Sequence, residues 1–511
     1  GFMNHVRRNL FESAVYQVGG QGFGFGHAVS LIVYRVPAAP QKRAQWNVMP
    51  APLSTQLALW TAGLCFEDLP PDVVEATRLR VMDVIGLALA GAETDFGRSV
   101  RGAAIALSPS GPCRILGFGD RVGLPAAAFA NGAFSQAMEF DDTHNESIVH
   151  MSSPAVSAAL ALSETIPVSG RDLITAIALG NEISCRVGSV SSGELHRRGF
   201  HPTGLFAPFG VAYLAGRLLR LDPPCLAHAA GIAGSFAAGL LECWVDGAQT
   251  KFLHPGWAAH SGITAAFLAR AGSTGPAQVF EGRFGLFAAY VQDSAAHRDF
   301  SRIHEGLGSH WESRNSSFKP FPAAHVLHPY IDAALRLRGR YGVRPEEVER
   351  IECPVTSFIV PIVCEPEAEK LAPLTDSHGR VSLQYTVAEA LYCGELGKNG
   401  YRPANLRNPG ILALARKVRF TVDPDLPGPG RFKGVVRITF RDGRTVEEIE
   451  EYNRGSRENP MTAAELRAKF DENAAGFLSA PARGRLADEI ARLETLSDAS
   501  ILLERATSDA L

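Results

Sequence analysis

The chain has 511 residues, which is enough for two or three domains of about 100–200 residues each. Hydrophobic residues make up 46% and charged residues 20%, a composition typical of a globular protein and not of a disordered or fibrous one. The formal net charge of −3 gives no sign of a nucleic-acid-binding protein or of a protein that binds an anionic membrane surface.

The eight cysteines are spread over the whole chain, and no two of them form a C-x-x-C pair. This spacing indicates reduced thiols in a cytoplasmic protein, not a disulfide framework, and it excludes the usual cysteine-based zinc site. The longest apolar run, Cys225–Val245, contains His228 and Glu242 and is rich in alanine and glycine, so a buried helix is favoured over a membrane span.

In chain order, residues 1–48 come first and show a glycine cluster at Gly19–Gly26 followed by Pro37-Ala38-Ala39-Pro40. Neither feature is typical of a packed core. We therefore expect residues 1–48 to form an N-terminal extension of uncertain order, with the fold beginning near Met49.

Residues 49–310 are predicted to form a helical domain, because apolar residues recur at three- and four-residue steps. Ser153-Pro154 is typical of a helix start, with serine as the N-cap and proline in the first turn. The pattern predicts further helices after Gly170, over Ala207–Leu219 and over Leu226–Leu241.

Residues 311–450 are predicted to form a smaller α+β domain. Strands are expected within Arg350–Val360 and at Val418–Val422, where apolar and polar residues alternate. Val435–Phe440 and Thr445–Ile449 flank Asp442-Gly443 and predict a hairpin. Helical periodicity returns over 451–511, and these helices can pack back on the first domain. The predicted fold class is therefore mainly α, with a helical domain and a smaller α+β domain.

Four short segments together supply several histidines, two lysines and a carboxylate pair, mostly near glycine or proline, a composition suited to binding a polyanion. Lysine pairs with carboxylates, and histidine can transfer protons near neutral pH. The segments are Phe140-Asp141-Asp142-Thr143-His144 with Ser147–His150, Gly199–Gly204 with His201-Pro202-Thr203, Asp246–Lys251 with His254-Pro255-Gly256, and Phe318–Pro322 with His325 and His328.

Simpler interpretations stay open for each segment. Asp141 and Asp142 can cap a helix, and a lysine taken alone is most often a solvated surface charge. A metal site is disfavoured because His144 and His150 are six residues apart, which does not match a helical i, i+4 pair. The sequence contains no dinucleotide-binding G-x-G-x-x-G, no P-loop and no G-x-S-x-G motif, so nicotinamide chemistry and serine hydrolysis are unsupported.

Taken in order over roughly residues 50–500, these segments resemble the MmgE/PrpD family, which includes 2-methylcitrate dehydratase, cis-aconitate decarboxylase and iminodisuccinate epimerase. The resemblance rests on Asn131-Gly132, Phe140–His144 with Val149-His150, His201-Pro202-Thr203, Gly247–Lys251 with His254-Pro255-Gly256, Glu281-Gly282, Lys319–Pro322, Ser382-Leu383-Gln384-Tyr385 and Asn459–Thr462.

The resemblance implies a large all-helical domain built from both chain ends, with the active site between it and the α+β domain. It also implies a homodimer that uses no metal or organic cofactor. The site residues it implies are His150, Lys319, Asp141 and Tyr385 as the catalytic set and His201, Lys251, Asp142 and His144 as substrate ligands. Within the catalytic set, His150 is the expected general acid/base, Asp141 orients it, and Tyr385 supplies or orients a second proton.

The expected activity is that of a cofactor-independent lyase, of the dehydratase or hydratase type, acting on a small di- or tricarboxylic acid. An epimerase or a decarboxylase with the same proton chemistry is the alternative, and a non-catalytic carboxylate-binding protein is a third reading. The segment departs from the common family pattern at Met151, where proline usually follows the histidine. The Asp141–His150 segment is also not the version typical of 2-methylcitrate dehydratase or cis-aconitate decarboxylase. It resembles a broad bacterial group whose substrates are mostly unassigned, so the acid itself is not predicted.

Overall fold

The structure is a computed structural model that describes residues 51–293, 295–428 and 430–507. The extension predicted for residues 1–48 lies outside the described residues. Within the described ranges, no helix is both long enough and apolar enough to cross a membrane.

The first part of the chain folds into helices, with three two-residue strands between them. Several helices begin as their sequences predict: Thr94 Oγ1 accepts a hydrogen bond from Gly97 N at 3.0 Å, and prolines occupy the first turns of the helices starting at Pro71 and Pro202. The elements are α1 (Leu53–Gly63), α2 (Pro71–Ala92), α3 (Asp95–Leu107), β1 (Cys113–Arg114), β2 (Arg121–Val122), α4 (Leu124–Gln136), β3 (Thr143–His144), α5 (Ser152–Ser163), α6 (Gly170–Gly188), α7 (Glu194–Arg197), α8 (Pro202–Leu218), α9 (Pro223–Ala233), α10 (Cys243–Asp246), α11 (His254–Arg270), α12 (Leu286–Val291) and α13 (Ser301–His304).

Two helix ends differ from the prediction. Helix α5 begins at Ser152, so Ser153 is not its N-cap; the Ser153 hydroxyl donates instead to Asp141 Oδ2 at 2.9 Å. The backbone amide of Ser152 donates to Asp142 Oδ1 at 3.3 Å, so a distant aspartate caps this helix. Helix α9 ends at Ala233 instead of continuing to Leu241, and the chain then turns through Gly239, whose φ is +149°.

Close helix packing depends on glycine. A Cβ on Gly256 of α11 would lie 2.2 Å from the carbonyl oxygen of Phe129 on α4, and a Cβ on Gly132 would lie 2.9 Å from Gly256 Cα. Because the two backbones touch directly, neither position has room for a side chain. This contact fixes α11, and with it the short segment that carries Lys251, relative to α4 and the loop that follows it.

The second part of the chain contains a four-stranded sheet in the order β6-β5-β7-β8, with β5 parallel to β6 and antiparallel to β7. The predicted hairpin is present, and Gly443 adopts a φ of +84° at its turn. The elements are β4 (Ser316–Ser317), α14 (His328–Tyr341), β5 (Val348–Val355), α15 (Glu367–Leu371), α16 (Asp376–Arg380), α17 (Leu383–Cys393), α18 (Pro403–Leu406), α19 (Pro409–Ala415), β6 (Val418–Val422), β7 (Gly434–Phe440) and β8 (Thr445–Glu450).

The chain ends in helices α20 (Ala463–Ala474), α21 (Ala480–Ala491) and α22 (Ile501–Arg505). Their buried residues Leu466, Phe470 and Leu486 belong to the same hydrophobic core as helices α1 to α11, whereas the sheet and helices α14 and α17 enclose a second core. The predicted fold class, a large helical domain built from both chain ends and a smaller α+β domain, is confirmed.

Candidate active site

The loop between α4 and α5 carries the acidic and histidine residues predicted for the site. Two of its non-glycine residues, Glu139 and Ile148, have positive φ angles of 54° and 58°. Such backbone is uncommon for any side chain and an outlier for a β-branched one, and it costs about 1–3 kcal/mol per residue. The loop is held by β3, which pairs with β4 through Thr143↔Ser317. This pairing joins the α4–α5 loop of the helical part to the segment that leads into the α+β part of the chain.

His150 is buried, and its ring is fixed from one side. Nδ1 lies 3.1 Å from the carbonyl oxygen of Asp142, which can only accept its hydrogen bond, and 3.2 Å from Asp141 Oδ1, which is within ion-pair distance. Nδ1 therefore carries the ring proton in the neutral state, and Nε2 is left as the basic nitrogen. The positive charge that forms when Nε2 takes a proton is stabilised by Asp141, whose pKa is lowered chiefly by His150 against the opposing effect of burial.

Asp141 is in turn held by its own hydrogen bonds. Its Oδ2 accepts from Ser153 Oγ at 2.9 Å and from Gln136 Nε2 at 3.4 Å. The amide of His150 donates to Thr203 Oγ1 at 2.9 Å, which ties the histidine backbone to the first turn of α8. The position of the imidazole is therefore set by three different elements, as a proton-transferring group requires.

Lys251 and Lys319 converge on one buried carboxylate, that of Glu139. Lys251 Nζ hydrogen-bonds Glu139 Oε1, and Lys319 Nζ lies 3.6 Å from Oε2 and 3.0 Å from the Glu139 carbonyl oxygen. The two ammonium groups hold the pKa of Glu139 far below its usual range although burial acts in the opposite direction. Burial lowers the pKa of Lys319, and Glu139 is the largest influence that opposes this effect.

His201 and His254 form a second histidine pair, with their Nδ1 atoms 2.8 Å apart. One Nδ1 must donate and the other must accept, so the two neutral rings have opposite tautomers. Burial, followed by the charge of Lys251, lowers the pKa of His254 to about 4 and that of His201 well below its usual value. Both rings are therefore uncharged at neutral pH, and His201 Nε2 is buried without a hydrogen-bond partner among the described residues.

These side chains line one cavity of about 80 Å³ between the two cores. One wall is polar and carries His150, His201, Lys251, Lys319 and Glu139. The rest of the lining, called the apolar wall below, is mainly apolar. The described lining residues are Glu139, Thr143, Asn145, Ile148, His150, His196, His201, Trp244, Lys251, Lys319, Ala324, His325, Val326, Phe358, Ile362, Val381 and Phe432.

A larger surface cleft of about 820 Å³ lies elsewhere, beside Glu93 and Lys398. Lys398 Nζ pairs with Glu93 Oε2 at 2.8 Å, and the described lining of this cleft contains no histidine. It therefore lacks a group that transfers protons near neutral pH. The smaller cavity is the better candidate for chemistry despite its size.

The structure brings together His150, His201, Lys251 and Lys319, with Asp141 directly behind His150. Asp142 is not part of the cavity lining: its carboxylate accepts from Ser152 Oγ at 2.6 Å and pairs with Arg80 at 3.3 Å. His144 also points elsewhere, with Nδ1 2.7 Å from Ser147 Oγ and Nε2 3.7 Å from Glu312 Oε2. The helix-capping reading of the aspartate pair thus describes Asp142.

Tyr385 lies on α17 within the second core and is not among the described residues that line the cavity. Burial, with a smaller effect of Glu389, raises its pKa above the usual range, which disfavours the phenolate. Among the lining residues of the α+β part, Phe358 and Phe432 carry no exchangeable proton, whereas the His325 imidazole does.

The sequence analysis missed Glu139, although it directly precedes the Phe140–His144 segment. It also missed His196, which packs its ring 5.3 Å from that of Trp244. A third carboxylate beside Asp141 and Asp142 was the available signal for Glu139. No sequence signal marks the apolar wall, because its residues come from separate turns and helices. Among the described residues, no group of three or more histidine, cysteine or acidic side chains is placed to hold a metal ion.

Two domain families match this chain. The MmgE/PrpD N-terminal domain matches residues 55–299, and the MmgE/PrpD C-terminal domain matches residues 321–495. The chain is 28% identical over 466 residues to the cis-aconitate decarboxylase-like protein oryM of Aspergillus oryzae, an alignment that covers 88% of this chain and 96% of that protein. It is also 28% identical over 471 residues to cis-aconitate decarboxylase of Aspergillus terreus (88% and 95% covered) and 28% identical over 450 residues to that of Mus musculus (86% and 90% covered).

Proposed function

This chain belongs to the MmgE/PrpD family, and we propose that it is a lyase that transfers a proton at a carbon next to a carboxylate of a small di- or tricarboxylic acid. The observation that carries the proposal is His150: its Nδ1 is committed to Asp141 and the Asp142 carbonyl, which leaves Nε2 as the basic nitrogen beside two lysines. A base next to fixed positive charge is what the removal of a weakly acidic C–H proton requires.

In this proposal the substrate carboxylate binds near Lys251, Lys319 and His201. The ammonium groups stabilise the negative charge that spreads onto the carboxylate when the adjacent carbon loses its proton. His150 Nε2 takes that proton, and Asp141 stabilises the imidazolium. The neutral His201–His254 pair can donate or accept a hydrogen bond without adding charge.

In a dehydration, the carbanion-like intermediate then loses a β-hydroxyl group. In a decarboxylation, the same type of intermediate forms by loss of carbon dioxide and is then protonated. The sequence favours the first outcome, a dehydratase resembling 2-methylcitrate dehydratase. The names of the relatives, cis-aconitate decarboxylases at 28% identity, favour the second. Return of the proton to the other face would make the enzyme an epimerase. We further propose that the enzyme works as a cytoplasmic homodimer without a metal or organic cofactor, as the family resemblance implies.

The test is proton NMR in heavy water with a panel of di- and tricarboxylic acids, combined with measurement of released carbon dioxide. A new vinyl signal indicates dehydration, carbon dioxide release indicates decarboxylation, and deuterium entering a stereocentre without net loss indicates an epimerase. His150→Gln should lower kcat on the order of 100-fold or more. His310→Gln is the matched control, because His310 is a largely exposed histidine whose ring pairs with Glu312 and lies outside the described cavity lining. Retained activity in a folded His150→Gln protein would refute the assignment of the base.

A further inference from the structure

Much of the cavity lining consists of side chains that cannot bind a carboxylate. Ala324, Val326, Phe358, Ile362 and Phe432 come from the α+β part of the chain and line the same cavity as the two lysines. His325 is the polar exception among them: its Nε2 lies 2.7 Å from Asn453 Nδ2, its Nδ1 has no hydrogen-bond partner among the described residues, and burial lowers its pKa well below the usual value, so the ring adds no positive charge at neutral pH. A third carboxylate placed against this wall would lose its water without gaining a cation.

Ile148 extends this apolar surface from the helical part, and its backbone is strained to do so. A β-branched residue at a φ of +58° costs about 1–3 kcal/mol, which glycine or asparagine would avoid. The Ile148 side chain nevertheless lines the cavity next to Thr143 and His150. Because the Ile148 backbone is strained, its apolar side chain at this position indicates a role in the cavity.

The net charge of the polar wall also limits how many carboxylates a substrate can carry. Lys251 and Lys319 share Glu139, so the three groups together carry a single positive charge. Asp141, behind His150, adds a negative charge that balances it. The histidines His196 and His201 contribute none at neutral pH, because burial lowers their pKa values, that of His196 to about 4. A substrate with three ionised carboxylates would therefore meet a net charge of only +1 on the two lysines and Glu139, and Asp141 opposes it.

We propose that the substrate is a dicarboxylate with a short alkyl arm, whose carboxylates face Lys251, Lys319 and His201 and whose arm packs against Ile148, Phe358, Ile362 and Phe432. This inference rests on the proposed function and specifies its substrate class. Phe358 and Ile148 are the residues that set specificity for the arm, and they act through contact with it.

The experiment uses one scaffold with a variable substituent: maleate, methylmaleate, ethylmaleate, propylmaleate and cis-aconitate, which is carboxymethylmaleate. Binding is measured by calorimetry and turnover by NMR, both with the full chain. Each methylene added from methyl to propyl should tighten binding about fourfold. Propylmaleate should bind tighter than cis-aconitate, which has a charged group in the same position.

Phe358→Ala should remove most of the gain per methylene, so that propylmaleate loses more affinity than maleate does. Phe420→Ala is the matched control, because Phe420 lies on β6 outside the cavity lining. Ile148→Gly should also weaken propylmaleate binding several-fold, yet it should not destabilise the fold, because it removes the backbone strain together with the side chain. A variant that binds propylmaleate as well as the wild type does would show that its side chain does not contact the arm.

The two proposals fail in different ways. Tighter binding of cis-aconitate than of every alkylmaleate would overturn the substrate class, and its turnover would leave the lyase assignment intact. Binding that strengthens along the alkyl series supports the apolar wall as the arm site. If none of these acids or those of the wider panel were turned over, that result would count against the lyase proposal and not against the binding order.

Discussion

Replacing Glu139 with glutamine removes the carboxylate that two buried lysines share. Lys319 Nζ lies 3.6 Å from Glu139 Oε2, which corresponds to about 5 kcal/mol of attraction at an effective dielectric constant near 20. Lys251 is in direct hydrogen-bond contact with the other oxygen. Breaking a buried pair by removing one partner typically costs about 3–5 kcal/mol, because the remaining charges stay buried and uncompensated. We expect Glu139→Gln to lower the free energy of unfolding at pH 7 by that amount, as measured by urea denaturation.

The matched control is Glu75→Gln, the same chemical change in the surface pair with Arg78. Glu75 is about half exposed, and surface pairs contribute roughly 0–1 kcal/mol. Added methylmaleate should stabilise Glu139→Gln more than it stabilises the wild type, since the variant site carries one more positive charge and a dicarboxylate replaces the missing anion.

The effect of pH has a defined sign. Without Glu139, the pKa of Lys319 in the folded protein should fall further below its pKa in the unfolded chain. At a pH between these two pKa values, the unfolded chain therefore binds more protons than the folded protein does. Stability relative to the wild type should therefore recover as the pH rises toward 10.5, the ordinary pKa of a lysine. If Glu139→Gln cost no more than Glu75→Gln, Glu139 would not neutralise the two lysines, and the charge balance behind the dicarboxylate proposal would be wrong.

Two further predictions concern stability. His254 has a pKa of about 4 in the fold and about 6.5 when unfolded, so the unfolded state takes up the proton first as the pH falls, and stability should drop between pH 6.5 and 4. Urea midpoints at pH 7 and pH 4.5 should show a loss for the wild type that is about 2–3 kcal/mol larger than for His254→Asn, and equal losses would exclude this contribution. Gly256→Ala should destabilise by at least about 2 kcal/mol, because its Cβ meets the Phe129 carbonyl oxygen at 2.2 Å. Gly102→Ala, at an exposed position of α3 with no atom within 4 Å of the new Cβ, should stabilise the protein by about 0.5–1 kcal/mol. Thermal melting of both variants checks that their melting temperatures shift in opposite directions.

Local sequence signals predicted much of the fold. Helical periodicity, N-terminal prolines and the Asp442-Gly443 turn depend on neighbouring residues, and the structure has the corresponding elements. The sheet order could not be predicted, since β5 pairs with β6 through Ile351↔Val418 and with β7 on its other side. Those partners are far apart in sequence, and strand patterns alone do not select among them.

The same distinction applies to the site. His150, His201, Lys251 and Lys319 each lie in a recognisable segment, and His201 and Lys319 directly precede a proline. The structure gathers all four around one cavity. Asp142 and His144 belong to the same segment, but their partners, Arg80 and Glu312, come from distant parts of the chain. The alternation of side chains along the loop, not its composition, decides which of them faces the cavity.

The net charge of the cavity is the property that the sequence alone predicts least well. Two lysines and several histidines in ordered segments suggest a strongly cationic pocket, and hence a polyanionic substrate. A buried ammonium group is costly unless an anion accompanies it, so a folded chain that buries Lys251 and Lys319 together must supply a carboxylate of its own. Glu139 provides it, and burial removes the charge of His196, His201 and His254 by lowering their pKa values. The number of cationic residues in a motif is therefore an upper limit on the positive charge that a ligand meets. Here the positive charge left after Glu139 is counted favours a substrate with two carboxylates over one with three.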